Sequence, residues 1–215
     1  MSRLRVHSFA ISLDGYGAGP DQTIDHPLGV RGEELHEWIF ETRFWSEMTG
    51  EPGGKEGVDH DFLVAGFTGI GAWIMGRNMF GPVRGEWGDS DWRGWWGDNP
   101  PYHQSVFVLT HHPHDPIAMD GGTTFHFVTD GIESALEQAT AAAGGADIRL
   151  GGGVATIQEY LRAGLVDDLH VAIVPRLLGD GERLFDRLGE AVDGYECAEL
   201  VASDAVVHLR MVPKR

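Results

Sequence analysis

The stretch that decides the fold is residues 147–161, which read Asp-Ile-Arg-Leu-Gly-Gly-Gly-Val-Ala-Thr-Ile-Gln-Glu-Tyr-Leu. Its first four residues predict a strand, and those from Val154 onward predict a helix. Between them, Gly151, Gly152 and Gly153 carry no side chains, so backbone N–H groups can approach a charged ligand closely. The free N–H groups and positive dipole end of the helix lie at the same place. The stretch therefore predicts a site for an anion, and a pyrophosphate in particular suggests a bound dinucleotide.

Two features of the triplet limit this interpretation. A tight turn that only packs a helix onto a sheet is an equally good explanation of glycines alone. The Rossmann fingerprint is also not met, because Gly151, Gly153 and Thr156 occupy its three glycine positions. The triplet lies late in the chain, whereas a Rossmann turn is the first of its unit. A different dinucleotide-binding fold is expected.

Composition limits the class of protein. The 215 residues, of which 42% are hydrophobic and 23% charged, predict a single globular domain over residues 1–215. The net charge of −17, from 16 basic and 33 acidic residues, predicts no nucleic acid and no anionic membrane as partner. An anionic cofactor must therefore be held by backbone dipoles and a few arginines.

Cysteine usage and the chain ends indicate the compartment. The single cysteine, Cys197, cannot form an intramolecular disulfide, so a reducing cytoplasm is expected. Because Cys197 lies in a predicted strand, we expect a buried, inert thiol. The first residues contain no apolar h-region, so we expect no secretory signal. No apolar stretch reaches the roughly 20 residues that a membrane span needs.

Hydrophobic periodicity predicts alternating strands and helices. This alternation favours an α/β fold with a mostly parallel sheet and an antiparallel edge. Strands are predicted over residues 5–13, 72–76, 105–110, 123–128, 147–150 and 168–174, with a hairpin of 195–202 and 205–212; helices are predicted from Gly32 to a break at 49–57, over 59–69 with Asp59 as its cap, over 77–80, 131–144 and 154–163.

Residues 85–102 hold four tryptophans among Gly, Asp and Pro. They predict a long loop, and long loops in compact domains are often functional. An apolar or aromatic wall for a substrate is one interpretation, and a loop that packs its own aromatics is the other.

Five stretches, in order along nearly the whole chain, resemble the dihydrofolate reductase-like superfamily. The resemblance is specifically to the reductase domain of the riboflavin-biosynthesis deaminase-reductase and its stand-alone relatives. The stretches are Ser12-Leu13-Asp14-Gly15-Tyr16, Met75-Gly76-Arg77-Asn78-Met79-Phe80, Val108-Leu109-Thr110-His111-His112-Pro113, Leu150-Gly151-Gly152-Gly153 running to Leu165-Val166-Asp167-Asp168-Leu169, and residues 175–185.

The resemblance implies a three-layer fold with a mostly parallel sheet of about eight strands and an antiparallel C-terminal hairpin. It implies NADPH as cofactor and hydride transfer to a C=O or C=N group of a small molecule, as in 5-amino-6-(5-phosphoribosylamino)uracil reductases. A homodimer is also implied. The zinc signature of the deaminase, H-x-E…P-C-x-x-C, is not found in the chain.

The same resemblance implies the residues that contact the cofactor. They are Ala10 and Gly17 beside the nicotinamide, Gly76, Arg77, Asn78 and Met79 at the phosphates, Thr110, His111 and His112 near the adenosine 2′-phosphate, and Gly151, Gly152, Gly153, Val154 and Ala155 at the pyrophosphate.

The chemistry of three of these side chains agrees with those roles. The planar guanidinium of Arg77 suits phosphate oxygens, although a surface ion pair is the alternative. His111 and His112 add charge if protonated, and exposed loop histidines are the alternative. We expect no metal site from these histidines and His114, because adjacent side chains on a strand end point apart.

The proton donor is less well defined. In dihydrofolate reductases an acidic residue on the first helix serves this role, and here Glu34 and Glu37 are the candidates. A solvated helix face is the alternative for both. Asp14 is a third candidate, with a substrate role, a loop-closing role or stabilisation of the Asp-Gly turn as its alternatives.

The substrate is also open. A ribose phosphate would need basic residues, for which Arg31, Arg43, Arg84 and Arg93 are the candidates, whereas the tryptophans of residues 85–102 favour an apolar substrate. A protein that binds NADPH without turnover, a flavin- or deazaflavin-dependent reductase and a folate reductase are the alternative functions.

Overall fold

The computed structural model describes residues 2–81, 85–88 and 91–214. Within these ranges the strands are β1 Leu4–Ser12, β2 Tyr16–Ala18, β3 Ile70–Gly76, β4 Ser105–Leu109, β5 Ile117–Ala118, β6 Thr124–Val128, β7 Asp147–Gly152, β8 Asp168–Val174, β9 Glu182–Arg183, β10 Tyr195–Ala202 and β11 Val207–Pro213. The helices are α1 Glu37–Phe40, α2 Arg43–Thr49, α3 Val58–Phe67, α4 Arg77–Phe80, α5 Gly131–Ala143 and α6 Val154–Arg162, with 3-10 turns at Gly32–Leu35, Asp120–Gly122 and Gly189–Gly194.

Nine of the described strands form one sheet in the order β10-β11-β8-β1-β7-β3-β4-β6-β5. The strands from β8 to β6 are parallel, and β11 and β10 continue the sheet as an antiparallel pair. The predicted α/β class, with a mostly parallel sheet and a C-terminal hairpin, is confirmed. The sheet has one strand more than expected because the two-residue β5 pairs antiparallel with β6.

Helices cover both faces of the sheet, which gives three layers. Val6 of β1 packs in the cluster that contains Ala135 of α5 and Ile157 of α6. The next side chain along β1 toward the N-terminus, Arg5, donates to the carbonyl of Ala65 in α3, on the opposite face. Since successive side chains of a strand alternate between faces, α3 lies across the sheet from α5 and α6.

The helix predicted from Gly32 is broken into a 3-10 turn and the short helices α1 and α2. The break lies at Thr42, whose backbone is extended (φ −82°, ψ 150°). Its hydroxyl oxygen accepts a hydrogen bond from the backbone N–H of Trp45 at 3.3 Å, so Thr42 caps a new helix. The prediction of one continuous helix is wrong because this cap competes with helical backbone at residue 42.

The start of α3 also differs from the prediction. The helix begins at Val58, and its N-cap residue is Gly57 rather than Asp59. Asp59 lies in the first turn, where its carboxylate accepts a hydrogen bond from His208 at 2.8 Å instead of capping the helix. A contact with a strand 149 residues away therefore determines the role of this aspartate.

The only cysteine, Cys197, is exposed, so the prediction of a buried thiol is wrong. It lies on β10, which forms one edge of the sheet and is solvent-exposed along most of its length. None of the helices in the described ranges is long and apolar enough to cross a membrane. The organisation of residues 1–215 as a single domain stays a prediction.

Candidate functional site

The candidate site lies where the carboxyl ends of β7, β3 and β4 meet, since parallel strands end at the same edge of a sheet. Gly76, the last residue of β3, packs against the first turn of α6. A Cβ atom on Gly76 would lie 2.2 Å from Oγ1 of Thr156 and 3.5 Å from the backbone nitrogen of Gly153. Only a glycine lets β3 and α6 approach this closely.

The first two glycines of the triplet belong to β7 and are in close contact with other residues. A Cβ on Gly151 would lie 2.9 Å from Cε of Met79, and one on Gly152 would lie 3.2 Å from the ring of Phe9. Gly17 of β2 closes the other side, because a Cβ there would lie 2.7 Å from Phe9 and 2.8 Å from Val154. The structure therefore brings the predicted residues of β2, α4, β7 and α6 together.

Gly153 has a different environment from its neighbours. A Cβ added to Gly153 would have no atom within 4 Å, although the peptide bond that joins it to Gly152, which is cis, lies in a crowded region. Gly153 is the N-cap residue of α6, and no described side chain caps this helix. The first N–H groups of α6, those of Val154 and the exposed Ala155 among them, are thus left for water or a ligand. This is a local environment suited to an anion.

Arg77 lies beside this opening at the start of α4. Its guanidinium carbon is 3.1 Å from the ring centroid of Trp87, and its Nη1 donates to Oγ1 of Thr110 at 3.1 Å. The same hydroxyl oxygen accepts a hydrogen bond from the backbone N–H of His112, also at 3.1 Å. Two residues predicted to bind phosphate, Arg77 and Thr110, therefore contact each other directly, and Trp87 orients the guanidinium.

The predicted histidines divide between two environments. His111 is exposed, whereas His112 is partly buried and places Nδ1 3.1 Å from a carboxylate oxygen of Glu86. His114 packs on Trp87 and Phe127. The described residues contain no group of three or more side chains able to hold a metal ion.

Two predicted cofactor residues lie apart from the glycine contacts. Ala10 is buried in β1, pairs with Ala172 of β8 and packs in a cluster with Trp38 and Val174. Asn78 lies on α4 and is partly exposed. Ala10 thus belongs to the sheet face that α1 and α3 cover.

Asp14 holds two loops together. Its carboxylate accepts hydrogen bonds from the Ser12 hydroxyl at 2.6 Å and from the backbone N–H groups of Leu178 at 3.1 Å and Gly179 at 2.8 Å. The Ser12 hydroxyl first, and then the two N–H groups, lower the pKa of Asp14 to about 2. Of its predicted roles, this geometry favours loop closure, because such an acid is ionised at neutral pH.

Glu34 and Glu37 line a groove on the side of the sheet that α1 and α3 cover. Glu34 accepts hydrogen bonds from Arg31 at 2.8 and 3.2 Å, and these bonds lower its pKa. Arg176 lies 3.7 Å from Glu34 and 3.6 Å from Glu37. Both carboxylates therefore have arginine partners at the rim of the groove.

The arginines predicted for a substrate phosphate are mostly engaged. Arg31 pairs with Glu34, Arg43 with Glu47 and Glu56, and Arg93 with Asp98. Arg84 lies outside the described residues. Each of the three described arginines therefore has a carboxylate partner within the chain.

The groove contains one set of residues that the sequence did not identify as functional. Asp59 lines it, and His208 and His170 form a buried hydrogen-bonded chain behind Asp59. A signal was present, because the residues on either side of His170 and of His208 are apolar. A histidine in such a strand needs a buried polar partner, but the sequence does not say which.

Several solved structures share the fold of the whole chain. A putative riboflavin biosynthesis protein from Shewanella sp. PV-4 is 22% identical with a TM-score of 0.62, and the match covers 100% of both chains. A pyrimidine reductase-like protein from Corynebacterium diphtheriae is 15% identical with a TM-score of 0.53, over 100% of this chain and 92% of that one.

A third similar structure belongs to a longer protein. It is a diaminohydroxyphosphoribosylaminopyrimidine deaminase/5-amino-6-(5-phosphoribosylamino)uracil reductase from Thermotoga maritima, 14% identical with a TM-score of 0.53. The match covers 100% of this chain but 56% of that one. The predicted dihydrofolate reductase-like fold is confirmed, and these likenesses concern the fold alone.

Family membership follows from the sequence itself. No curated protein sequence matches the chain significantly. The family model described as RibD C-terminal domain, however, matches residues 6–209, which is nearly the whole chain. The chain therefore belongs to the RibD C-terminal domain family.

Proposed function

We propose that this protein is an NADPH-dependent reductase that transfers a hydride to a C=O or C=N group of a small molecule. Membership of the RibD C-terminal domain family supports an oxidoreductase of the riboflavin-pathway type. The choice of NADPH and the nature of the substrate are the parts of the proposal that need experiment.

The observation that carries the proposal is the open space at Gly153. Of the three glycines in the triplet, only Gly153 could carry a Cβ atom without a close contact. Gly153 also stands at the start of α6, which no side chain caps in the described residues. A pyrophosphate placed there would accept hydrogen bonds from the N–H groups of α6 and benefit from its dipole. Because the net charge is −17, such local dipoles are what an anionic cofactor requires.

Arg77 and Thr110 would contact the 2′-phosphate that distinguishes NADPH from NADH. The guanidinium is held by Trp87 and by the Thr110 hydroxyl, so both donors are positioned before a ligand arrives. When bound, the nicotinamide supplies the hydride, and the protein orients it and excludes water. Ala10 and Gly17 would border that ring on β1 and β2.

A thermal-shift comparison of NADPH, NADH, FMN and no ligand tests the cofactor. A ligand at 100 times its dissociation constant should stabilise the chain by about 2.7 kcal/mol. We expect NADPH to raise the melting temperature more than NADH does. A larger shift with FMN, or a purified protein with flavin colour, would contradict the proposal and favour a flavin-dependent reductase.

Turnover separates a reductase from a protein that only binds NADPH. We expect NADPH absorbance at 340 nm to fall when a suitable carbonyl or imine compound is added to the protein with bound coenzyme. Tight NADPH binding with no oxidation across a broad screen of such compounds would favour the binding protein instead.

We also propose a homodimer that forms through the exposed edge of the sheet. Strand β10 is the terminal strand of the sheet in the part of the chain that the structure describes, and Leu200 on this strand is 65% exposed. An edge strand presents backbone N–H and C=O groups with which a second copy can pair. Light scattering should give twice the 23.5 kDa mass of one chain, and a single-chain mass at micromolar concentration would contradict the dimer.

A further inference from the structure

The groove that contains Asp59 has the size of a small-molecule site. Its volume is about 650 Å³. Its lining includes Trp38 of α1, residues 55–60 before and within α3, residues 174–176 at the end of β8 and beyond it, and residues 203–205 in the β10–β11 turn. Cavities of about 300–1,000 Å³ are typical of ligand sites. Trp38 and Val174 pack in the same cluster as Ala10. The groove therefore opens on the sheet face where the proposed nicotinamide neighbour Ala10 lies.

The charges around this groove are strongly biased. The lining residues include six carboxylates, those of Glu34, Glu37, Glu41, Glu56, Asp59 and Asp204, against two side chains with a permanent positive charge, Lys55 and Arg176. Both cations already have carboxylate partners: Arg176 faces Glu34 and Glu37, and Lys55 contacts Glu41 at 2.5 Å. A phosphate group entering the groove would meet an excess of negative charge.

Asp59 is the carboxylate with the most defined environment. The backbone N–H of Ser8 can only donate, and it bonds Nδ1 of His170 at 2.9 Å. Nε2 of His170 must then carry a hydrogen and donate to Nδ1 of His208 at 3.0 Å. Nε2 of His208 in turn donates to Oδ1 of Asp59 at 2.8 Å. Both imidazoles are therefore neutral and carry their hydrogen on Nε2. The two histidines orient the Asp59 carboxylate without placing a positive charge beside it.

This arrangement leaves one carboxylate oxygen for a ligand. Among the described residues, Oδ2 of Asp59 has no hydrogen-bond donor, and 22% of the side chain is exposed to the groove. An N–H group or a cation of a ligand is the natural partner for Oδ2.

A second group on the groove wall is buried without a partner. Trp38 is 95% buried, its ring meets His208 edge to face at 5.5 Å, and its indole N–H has no acceptor among the described residues. Nδ1 of His60, another lining residue, is in the same condition. Buried donors and acceptors are normally satisfied, so these atoms indicate a polar ligand that also offers a hydrogen-bond acceptor to the indole N–H.

We infer that this groove binds a nitrogen heterocycle that is cationic or carries amino groups, has an acceptor for the indole N–H and has no phosphate, with Asp59 as the carboxylate that receives its N–H groups. The inference rests on the proposed reductase function and specifies the class of its substrate. The inferred ligand therefore differs from the phosphoribosyl compound for which the Thermotoga maritima protein is named. His208 is a positioning residue, since it acts through Asp59.

Four probes that share a phenyl ring test the charge preference on the unmodified chain: benzamidinium, benzamide, benzoate and phenyl phosphate. Dissociation constants are measured by NMR titration. We expect benzamidinium to bind at least tenfold more tightly than benzoate or phenyl phosphate, with benzamide between them. Equal or tighter binding of either anion would overturn the inference, and so would the absence of benzamidinium binding.

Variants then locate the site. Asp59→Asn should weaken benzamidinium binding at least tenfold, whereas Asp61→Asn, an exposed aspartate on the same helix, should leave it unchanged. Circular dichroism checks that both variants are folded. Unchanged binding in Asp59→Asn would overturn the assignment of Asp59.

Titration with NADPH keeps this inference distinct from the proposed function. If NADPH fails to bind the unmodified chain but benzamidinium binding depends on Asp59, the reductase proposal fails and the groove assignment stands. If NADPH binds and the probes show no preference for the cation, the groove assignment fails alone.

Discussion

Arg77 and Thr110, which are 33 residues apart in the chain, are joined by a hydrogen bond of 3.1 Å from Nη1 of the guanidinium to Oγ1 of the hydroxyl. The bond links the start of α4 to the residue that follows β4. The two residues meet because β3 and β4 are neighbouring parallel strands that end at the same edge of the sheet. Stacking on Trp87 fixes the plane of the guanidinium. This pair is the part of the proposed cofactor site most specific to NADPH.

Replacing Arg77 should therefore change the preference between the two coenzymes. Hydrogen bonds to charged groups contribute about 1.5–3 kcal/mol, so Arg77→Met should weaken NADPH binding roughly 10- to 150-fold. NADH binding should change little, because NADH lacks the 2′-phosphate. Calorimetric titration of both coenzymes measures the effect, with Arg162→Met at the exposed end of α6 as the control. An equal loss for both coenzymes would place Arg77 elsewhere than at the 2′-phosphate.

Two glycines of the site should respond to alanine in opposite ways. At Gly153 (φ −78°) a Cβ meets no atom, so Gly153→Ala should fold normally but occupy space that the pyrophosphate needs. We expect at least a tenfold loss of NADPH affinity with a nearly unchanged melting temperature. Full NADPH affinity in Gly153→Ala would contradict the placement of the pyrophosphate.

At Gly76 the expected effect is on stability instead. A Cβ there would lie 2.2 Å from Oγ1 of Thr156, and overpacking of this kind costs about 1–3 kcal/mol. Gly76→Ala should therefore lower the free energy of unfolding in urea, and adding Thr156→Ala should restore most of it. No rescue in the double variant would show that the oxygen of Thr156 is not the obstacle.

Loss of Asp14 should loosen the loop that it holds. In Asp14→Ala the backbone N–H groups of Leu178 and Gly179 lose their acceptor, and their hydrogen exchange should accelerate at least tenfold, with Glu137→Gln on α5 as the control. The pKa of Asp14 is lowered to about 2, chiefly by the Ser12 hydroxyl, so its contribution to stability is full above about pH 4. That contribution should decline as pH falls from 4 to 2. Unaltered exchange in the variant would exclude a loop-closing role.

The buried histidines should make stability depend on pH. Burial first, and then the neighbouring buried histidine and nearby arginines, lower the pKa of His170 to about 3 and that of His7 to about 2. In the unfolded chain each takes up a proton below about pH 6.5, whereas the folded chain does not. Stability is therefore greatest above pH 6.5 and falls with decreasing pH, by up to about 1.4 kcal/mol per pH unit for each histidine.

A substitution isolates one histidine's share of that slope. His7→Asn should reduce the dependence of the unfolding free energy on pH between 6.5 and 4.5 by up to about 1.4 kcal/mol per pH unit. The exposed His26→Asn is the matched control and should leave the slope as it is. Urea denaturation at several pH values measures both. Identical slopes for His7→Asn and the unmodified chain would mean that His7 is protonated in the folded protein.

The elements of this fold were largely predictable because their signals are local. Apolar alternation marks β1, and a run of apolar residues marks the buried β8. Alanine-rich composition marks α5, and the glycine triplet marks the junction of β7 and α6. The predictions failed where a competing contact or the position of a strand in the sheet overrides the local pattern. The Thr42 cap breaks the first helix, Asp59 turns from a cap into a partner of His208, and the edge position of β10 exposes Cys197.

The sequence by itself determined the α/β class, the family and the residues expected at the cofactor edge, because short ordered motifs carry that information. Only the tertiary structure decided which of these residues touch. It placed Arg77 on Thr110, left open space at Gly153 and closed the groove around Asp59. Such contacts join residues far apart in the chain, and they follow from the order and register of the strands. Hydrophobic periodicity specifies which face of a strand is buried but not which strand lies beside it.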